Sequence, residues 1–248
     1  MMVSQFSLAN NKAKILTALQ EGELTVTGQF TQSSNYTFLS RVCYQGFEFQ
    51  AVYKPQKGET PLWDFPRGTL CKREVAAYTL SESLGWDLVP PTIFRRKAPL
   101  GRGAVQVFVD NDPNQHYFSF DEKTRQRLKP TVLFDLMINN ADRKGSHILL
   151  DQDHHLWLID HGTCFHAEFK LRSVVWEFAG QEIPASLLNN IQNLKQDLAK
   201  KSSLKRELLY LLSESELLAL KTWINILLQL ETFPFPDKNR RTIPWPPL

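Results

Sequence analysis

The 248-residue sequence contains few cysteines, and their scarcity argues against a disulfide framework. Cys43, Cys71 and Cys164 form an odd-numbered set with no Cys-x-x-Cys spacing, so reduced and packed thiols are expected. No apolar run reaches the roughly 18 residues that can cross a bilayer. The N-terminal MMVSQFSLANNKAK also lacks the basic start and apolar core of a signal peptide. We therefore expect a cytoplasmic protein with no stable membrane insertion.

Strong charge of one sign is also missing. The net charge is +3, and the densest basic patches, 95–97 and 200–201, are short. Nucleic acid is therefore not an expected partner. Internal repeats and low-complexity segments are absent from the sequence as well. With 42% hydrophobic residues, the chain can bury a substantial core as one large domain or as two lobes.

Residue patterns in the first part of the chain predict a small β-rich lobe. Apolar residues at helical spacing predict a helix over 8–20, and LTVTGQF, YTFLSRVCY and FEFQAVYK predict three antiparallel strands. After a loop rich in proline and glycine, TLCKREVAAYTLSESLG predicts a helix that Thr69 caps and Gly85 ends. TIFRRK and AVQVFVD predict two further strands.

The remainder of the chain is predicted to be mainly helical. DEKTRQRLK and TVLFDLMINN predict one interrupted helix or two, and HILLD with HHLWLID predicts a hairpin. Residues 184–231 predict two or three amphipathic helices. The predicted fold class is therefore α+β, with a mostly antiparallel β lobe over 1–109 and a larger helical lobe over 110–248.

The stretch NNADRKGSHILLDQDHHLWLIDHG, residues 139–162, concentrates ionisable side chains around the predicted hairpin. Phosphoryl transfer needs a lysine on the nucleotide phosphates, carboxylates on a divalent metal and a carboxylate beside the attacking hydroxyl. Asp142 and Asp160 supply the carboxylates. Lys54, at the end of the third strand, supplies the lysine, and Glu74 in the following helix could hold its ammonium in place. A strand-end ammonium contributes little to a core, so Lys54→Met is expected to spare folding.

Several motifs together carry a resemblance to a known superfamily. The segments 142–147 and 160–162 resemble the catalytic and metal-binding loops of protein-kinase-like proteins, and NADRK with IDHG is closest to the phosphatidylinositol 3- and 4-kinase-like branch. With YKPQKGETPLWDFPRGTL, REVAAY, GWDLVPPT and IDHGTCFH, they are similar to a bacterial family of such kinase-like proteins over about residues 24 to 180. The resemblance implies a two-lobed kinase-like fold and an ATP-dependent phosphotransferase that uses magnesium or manganese.

The resemblance also implies a role for each matching residue. Asp142 would orient or deprotonate the acceptor hydroxyl, and Lys144 would neutralise the transferring phosphoryl group. Lys54 would contact the phosphates with Glu74 bracing it, and Asp160 would hold the metal. Residues 106–109 would form the hinge whose backbone reads the adenine edge, which makes Gln106, Phe108 and Val109 the candidate contacts.

The sequence departs from the family pattern at two places. The loop over the phosphates is usually rich in glycine or small residues, and here it is TQSSN. Hydroxyls and backbone N–H groups can still hold phosphate, so Ser33, Ser34 and Asn35 are candidate contacts. His147 stands where kinases generally place a metal-binding asparagine. It is expected to bind metal as well, but imidazole suits magnesium poorly.

Three alternatives stay open at the level of sequence. A pseudokinase would use the same cleft to bind nucleotide or a partner, and a nucleotidyl transferase would move AMP with the same lysine, metal and carboxylates. His161, Cys164 and His166 could instead contribute to a zinc site. The acceptor could be a protein, a small molecule or a lipid, because likeness of fold does not transfer the site that selects it.

Overall fold

The computed structural model describes residues 8–31 and 35–248. Within these ranges the chain forms seven α-helices and seven β-strands, and the predicted α+β class is confirmed. The helices are α1 (Leu8–Glu21), α2 (Leu70–Leu84), α3 (Glu122–Gln126), α4 (Lys129–Met137), α5 (Ala185–Ala199), α6 (Ser203–Leu211) and α7 (Glu214–Leu227). The strands are β1 (Glu23–Gln29), β2 (Phe38–Tyr44), β3 (Phe47–Pro55), β4 (Thr92–Arg95), β5 (Gly103–Val107), β6 (Ile148–Leu150) and β7 (Leu156–Leu158). None of the helices in these ranges combines the length and apolarity needed to span a membrane.

The first five strands form one antiparallel sheet in the order β1-β2-β3-β5-β4. Helix α1 covers one face of this sheet, where Ile15 and Leu19 share a buried cluster with Val42 and Tyr53. The alternation of apolar and polar residues along β2 and β3 places these side chains on the covered face. Lys54 pairs with Ala104 of β5, so the sheet fixes the end of β3 and the direction of its lysine.

Helix α2 is central to the fold, since twelve of its fifteen residues are buried. It ends at Gly85 as predicted, where φ is +66° and glycine avoids the steric cost of a left-handed residue. The predicted capping role of Thr69 is wrong, because its hydroxyl donates to the carbonyl of Pro66. The carboxylate of Glu59 accepts from the N–H groups of Leu70 and Cys71 instead. A carboxylate satisfies two free N–H groups and also complements the helix dipole.

A second buried cluster joins α2 to the hairpin β6–β7 and to helices α4 to α7. Leu80 of α2, Leu158 of the hairpin and Leu220 of α7 are among its members. Ala104 of β5 belongs to the same cluster, so α2 packs between the sheet and the helical part of the chain, whereas α1 packs on the sheet. The division of the chain near residue 109 stays a prediction.

Candidate active site

The side chains of Lys54, Glu74 and Asp160 meet at the end of strand β3. Lys54 Nζ lies 2.5 Å from Glu74 Oε1 and 3.1 Å from Asp160 Oδ1. The three residues come from β3, α2 and the turn after β7, so only the folded chain brings them together. Burial disfavours the ammonium, but the carboxylates of Asp160 and Glu74 outweigh this effect and raise the pKa of Lys54 above its usual value. Lys54 is therefore charged at neutral pH.

Asp160 occupies an unusual backbone conformation directly after β7. Its φ is +60°, in the left-handed region that residues other than glycine rarely adopt. Such strain persists where the surrounding structure holds it, and it is often found at functional sites. The Lys54 ammonium holds the pKa of Asp160 well below its usual range, although burial acts in the opposite direction. An ionised, half-exposed carboxylate is thus placed just beyond the end of β7.

Asp142 and Lys144 lie on the loop between α4 and β6. The Nζ of Lys144 is 3.6 Å from Oδ2 of Asp142, and the backbone N–H of Asp142 donates to the side-chain oxygen of Asn140 at 3.0 Å. Burial raises the pKa of Asp142 to about 6, because it outweighs the opposing charge of Lys144. Asp142 is therefore a carboxylate that can accept a proton near neutral pH.

The imidazole of His147 lies between the two loops. Its Nδ1 is 3.0 Å from the carbonyl oxygen of Asp142, and its Nε2 is 3.4 Å from Oδ2 of Asp160. Burial lowers the pKa of His147 to about 4, so the ring is neutral at pH 7. In the tautomer that donates from Nδ1 to the carbonyl of Asp142, the lone pair of Nε2 faces the carboxylate of Asp160, so both are electron-pair donors. In the other tautomer, Nδ1 accepts from the N–H of Lys144 at 3.5 Å, and Nε2 donates to the carboxylate.

Arg143 was not assigned a role from sequence, but this residue connects the loop of Asp142 to the loop of Asp160. It is fully buried, and it binds both carboxylate oxygens of Asp135 in α4. Its guanidinium also donates to the carbonyls of His147 and Ile159 and to Nε2 of His161. The sequence feature that could have indicated a buried arginine is Asp135 inside the apolar run LFDLM, because a buried carboxylate requires a cation.

The candidate zinc ligands are separated in the folded chain. His161 is buried on Arg143, and the ring of His166 contacts the carbonyl of Asp64 at 2.9 Å. Cys164 is buried, which raises the pKa of its thiol well above the usual value. Across residues 8–31 and 35–248, no three His, Cys, Asp or Glu side chains are grouped to hold a metal ion. The described structure therefore gives the zinc alternative no support.

Asn139 connects the segment after residues 160–162 to the end of α4. Its amide group donates to the carbonyls of His166 and Glu168 at 2.9 and 2.6 Å, and its oxygen accepts from the N–H of Lys170 at 2.8 Å. The side-chain amide is thus fully used by one short stretch of backbone. Lys170 in turn pairs with Asp64 at 2.8 Å, which joins this segment to the loop before α2.

The predicted hinge continues from strand β5. The side chain of Gln106 is buried and donates to the hydroxyl of Thr92 at 2.8 Å. It is therefore not directed toward a ligand. The N–H of Phe108 donates to the carbonyl of Gln50 at 3.0 Å. In the described part of the chain, neither the carbonyl of Phe108 nor the N–H of Val109 has a hydrogen-bond partner. One acceptor and one donor therefore remain for a ligand just beyond the end of β5.

The predicted phosphate loop is only partly described. Ser33 and Ser34 lie outside the described residues. The side-chain oxygen of Asn35 accepts from the N–H of Thr60 at 2.7 Å, which connects this loop to the segment after β3. Contact of Asn35 with phosphate stays a prediction.

Comparison with known proteins identifies the family. The model of the family described as phosphatidylinositol 3- and 4-kinase matches residues 69–227. The chain therefore belongs to the phosphatidylinositol 3- and 4-kinase family. Protein Rv2133c of Mycobacterium tuberculosis is 37% identical to it over 263 residues, which cover 92% of this chain and 93% of that protein. The resemblance to a bacterial family of kinase-like proteins is thus confirmed.

Solved structures of low identity share the fold. Hydra Fam20 with sugar has a TM-score of 0.57 at 14% identity and covers 90% of this chain and 88% of its own. The Golgi casein kinase with Mn/ADP bound has a TM-score of 0.56 at 15% identity and covers 90% and 76%. The Helicobacter pylori proinflammatory kinase CtkA has a TM-score of 0.51 at 14% identity and covers 84% and 92%. At these identities the likeness shows the fold alone, and the predicted protein-kinase-like fold is confirmed.

Proposed function

We propose that the protein is an ATP-dependent phosphotransferase that moves the γ-phosphoryl group of ATP to a hydroxyl acceptor with the help of a divalent cation. The observation that carries the proposal is the convergence of Lys54, Glu74 and Asp160, at 2.5 and 3.1 Å, from three separate elements. Kinase chemistry requires a lysine on the phosphates, paired with a glutamate, and an aspartate on the metal. The family and the fold are those of kinase-like phosphotransferases.

The unpaired backbone groups of the hinge support adenine binding. The 6-amino group of adenine can donate to the carbonyl of Phe108, and a ring nitrogen can accept from the N–H of Val109. Gln106 contributes only its backbone, because its side chain is used by Thr92. In this pose the triphosphate extends toward Lys54 on the neighbouring strand β3.

The pair His147 and Asp160 fits a divalent cation. An Nε2 lone pair and a carboxylate oxygen that face each other at 3.4 Å repel, and a cation between them would remove the repulsion. Two protein ligands leave the other positions for water and phosphate oxygens. A nitrogen donor beside a carboxylate favours manganese over magnesium, because imidazole suits softer ions than magnesium. When bound, the cation would neutralise charge on the phosphates.

The proposed reaction assigns one task to each acidic or basic side chain. A lone pair of the acceptor oxygen forms a bond to the γ-phosphorus, while the bond to the β–γ bridging oxygen breaks and ADP leaves with that electron pair. The carboxylate of Asp142 accepts the hydroxyl proton, and its pKa of about 6 makes it a better base than an ordinary aspartate. Lys144, beside Asp142, stabilises the negative charge of the phosphoryl group in transfer.

A thermal-shift series with ATP and magnesium or manganese tests nucleotide binding. A ligand at a hundred times its dissociation constant adds about 2.7 kcal/mol to the free energy of unfolding, which raises the melting temperature by several degrees. Asp160→Asn should abolish the shift, whereas the exposed Asp153→Asn should keep it. No shift with any nucleotide–metal pair would instead identify a partner-binding pseudokinase.

Mass spectrometry after incubation with ATP tests the reaction itself. An added phosphate on the protein, or ADP released into solution, is the expected product. Asp142→Asn should keep nucleotide binding and lose turnover by a factor of about 10² to 10⁴, the range for a general base. An added AMP with released pyrophosphate would overturn phosphoryl transfer in favour of nucleotidyl transfer.

A further inference from the structure

Arg73 is a fully buried arginine that bridges three parts of the fold. It lies in α2, and one of its terminal nitrogens donates to the carbonyl of Cys164 at 2.5 Å. Cys164 comes just after residues 160–162, the proposed metal loop. The other terminal nitrogen donates to the carboxylate of Glu216 in α7. Its Nε lies 3.4 Å from the hydroxyl of Thr69. The guanidinium also stacks on the ring of Phe65, 4.8 Å from its centroid.

The residue that follows Arg73 is Glu74. One oxygen of Glu74 pairs with Lys54, and the other accepts from the backbone N–H of His161 at 3.0 Å. Neighbouring residues on a helix point about 100° apart, so Arg73 and Glu74 reach different partners from the same turn. A displacement of α2 that broke the contacts of Arg73 would therefore also move Glu74.

We infer that Arg73 is a positioning residue that anchors α2 against α7 and the segment after the metal loop, so that Glu74 meets Lys54. Its effect on phosphoryl transfer rests on the proposed function, whereas its effect on the Lys54–Glu74 pair does not. Arg73 thereby couples the carboxylate that braces Lys54 to the loop that carries Asp160.

The planar guanidinium suits this task better than any other side chain. It presents several N–H donors in a fixed fork, so it can serve the carbonyl of Cys164 and the carboxylate of Glu216 at once. The side-chain contacts of α2 with α6 are less buried than those of Arg73. Lys72 donates to the carbonyl of Tyr210 from an exposed position, and Thr79 reaches Glu207 at a part-buried one.

Hydrogen exchange at the backbone N–H of His161 provides a test that does not depend on catalysis. This N–H donates to the oxygen of Glu74 that does not pair with Lys54. If Glu74 moves away, the N–H loses its acceptor, and its exchange with solvent deuterium becomes faster. We would measure deuterium uptake of a short peptide that contains His161 by mass spectrometry, with a peptide that contains exposed Lys201 as the internal reference.

Three variants separate positioning from stability. Arg73→Met removes the anchor but leaves the carboxylate of Glu216 unpaired, which destabilises the fold. Arg73→Met with Glu216→Gln neutralises that carboxylate and keeps an acceptor for the N–H of Ser213, so stability should recover. Phe233→Leu makes a cavity against Phe178 in the tail after α7 and serves as a control for destabilisation alone.

The expected result is exchange at His161 at least several-fold faster in both Arg73 variants and unchanged in Phe233→Leu. Where the wild-type protein binds ATP, both Arg73 variants should also bind it more weakly. Exchange that returns to the wild-type rate in the double variant, together with stability, would overturn the inference and make Arg73 a structural residue only. A wild-type protein that fails to bind ATP would contradict the proposed function and leave the exchange comparison intact.

Discussion

The Nε2 atom of His147 lies 3.4 Å from Oδ2 of Asp160, on the side of the ring away from the carbonyl of Asp142. Replacement of this nitrogen donor by an amide oxygen should favour harder cations. We expect His147→Asn to increase affinity for magnesium relative to manganese by about tenfold, the scale on which changes around a metal ligand act. Titration calorimetry with each ion, at a fixed concentration of a non-hydrolysable ATP analogue, measures the ratio.

His154→Asn is a matched control for this substitution. His154 is exposed in the turn of the hairpin and has a φ of +59°, a conformation that asparagine tolerates well. It should leave the ratio of the two affinities unchanged. An unaltered ratio in His147→Asn as well would remove His147 from the set of metal ligands.

Asp142→Asn should stabilise the protein at neutral pH. The folded-state pKa of Asp142 is about 6, raised by burial above the usual 3.8, so ionisation is less favourable in the folded than in the unfolded chain. Stability is therefore fully present below about pH 4 and is lost as the pH rises through 6. Asparagine does not ionise, so the variant should melt at a higher temperature than the wild type at pH 7.5. The difference should shrink toward pH 4 in a series of melting curves.

Asp153→Asn, an exposed change of the same kind in the hairpin turn, should show no such pH-dependent difference. A variant at residue 142 that melts below the wild type at pH 7.5 would show that ionised Asp142 stabilises the fold. That outcome would contradict the raised pKa.

The same pKa sets the acid limit of the proposed reaction. Protonated Asp142 cannot accept the hydroxyl proton, so kcat/KM for ATP turnover should fall below pH 6 with an apparent pKa of about 6. His147 does not contribute to this limit, because burial holds its pKa near 4. A pH–rate profile from pH 4.5 to 8 measures the value. A flat profile down to pH 5 would exclude Asp142 as the base.

Lys54→Met should cost stability as well as nucleotide binding. From sequence, the ammonium at the end of the strand was expected to contribute little to the core, so that its loss would spare folding. In the structure, Lys54 is paired with Glu74, whose side chain is only 3% exposed. Removal of the lysine leaves this carboxylate unpaired, at a cost of about 2–3 kcal/mol. Adding Glu74→Gln should restore most of the stability but not the binding of ATP. Urea unfolding and thermal shift measure the two effects, and Lys54→Met with wild-type stability would contradict the buried pair.

Arg143→Met should be the most destabilising of these changes. The substitution leaves Asp135 buried without a cation and removes the donors that reach the loops of His147 and Ile159. Loss of one partner of a buried ion pair costs about 3–5 kcal/mol. Exposed Arg206→Met should change the free energy of unfolding by no more than about 0.5 kcal/mol. Urea denaturation compares the two, and equal stabilities would remove the structural role of Arg143.

The fold could be predicted from sequence because its signals are local. Alternating residues in β2 and β3, the glycine after α2 and the spacing of apolar residues in α5 to α7 each depend on near neighbours. The capping of α2 could not, because Glu59 reaches it from eleven residues away along an irregular loop. The position of Thr69 next to the helix was therefore misleading.

The candidate site was likewise only partly predictable from local sequence. Asp142 and Asp160 stand in motifs that resemble the loops of kinase-like proteins, so they could be found from sequence. In the structure their loops lie side by side, and His147 contacts both. Arg143 lies within the same motif, but its partner Asp135 is in the preceding helix, and only the folded chain shows that both are buried. Gln106 was a candidate contact through its backbone, which stays a prediction, and only the structure shows that its side chain turns toward Thr92. Side-chain direction depends on packing, which sequence patterns do not specify.

The three hydrogen bonds of Asn139 have a consequence for any binding event at residues 166–170. They fix the backbone of this stretch as the chain folds. Its conformational entropy is lost once, during folding, and is not subtracted again when a molecule binds. A molecule that contacts this stretch would therefore meet a preformed shape.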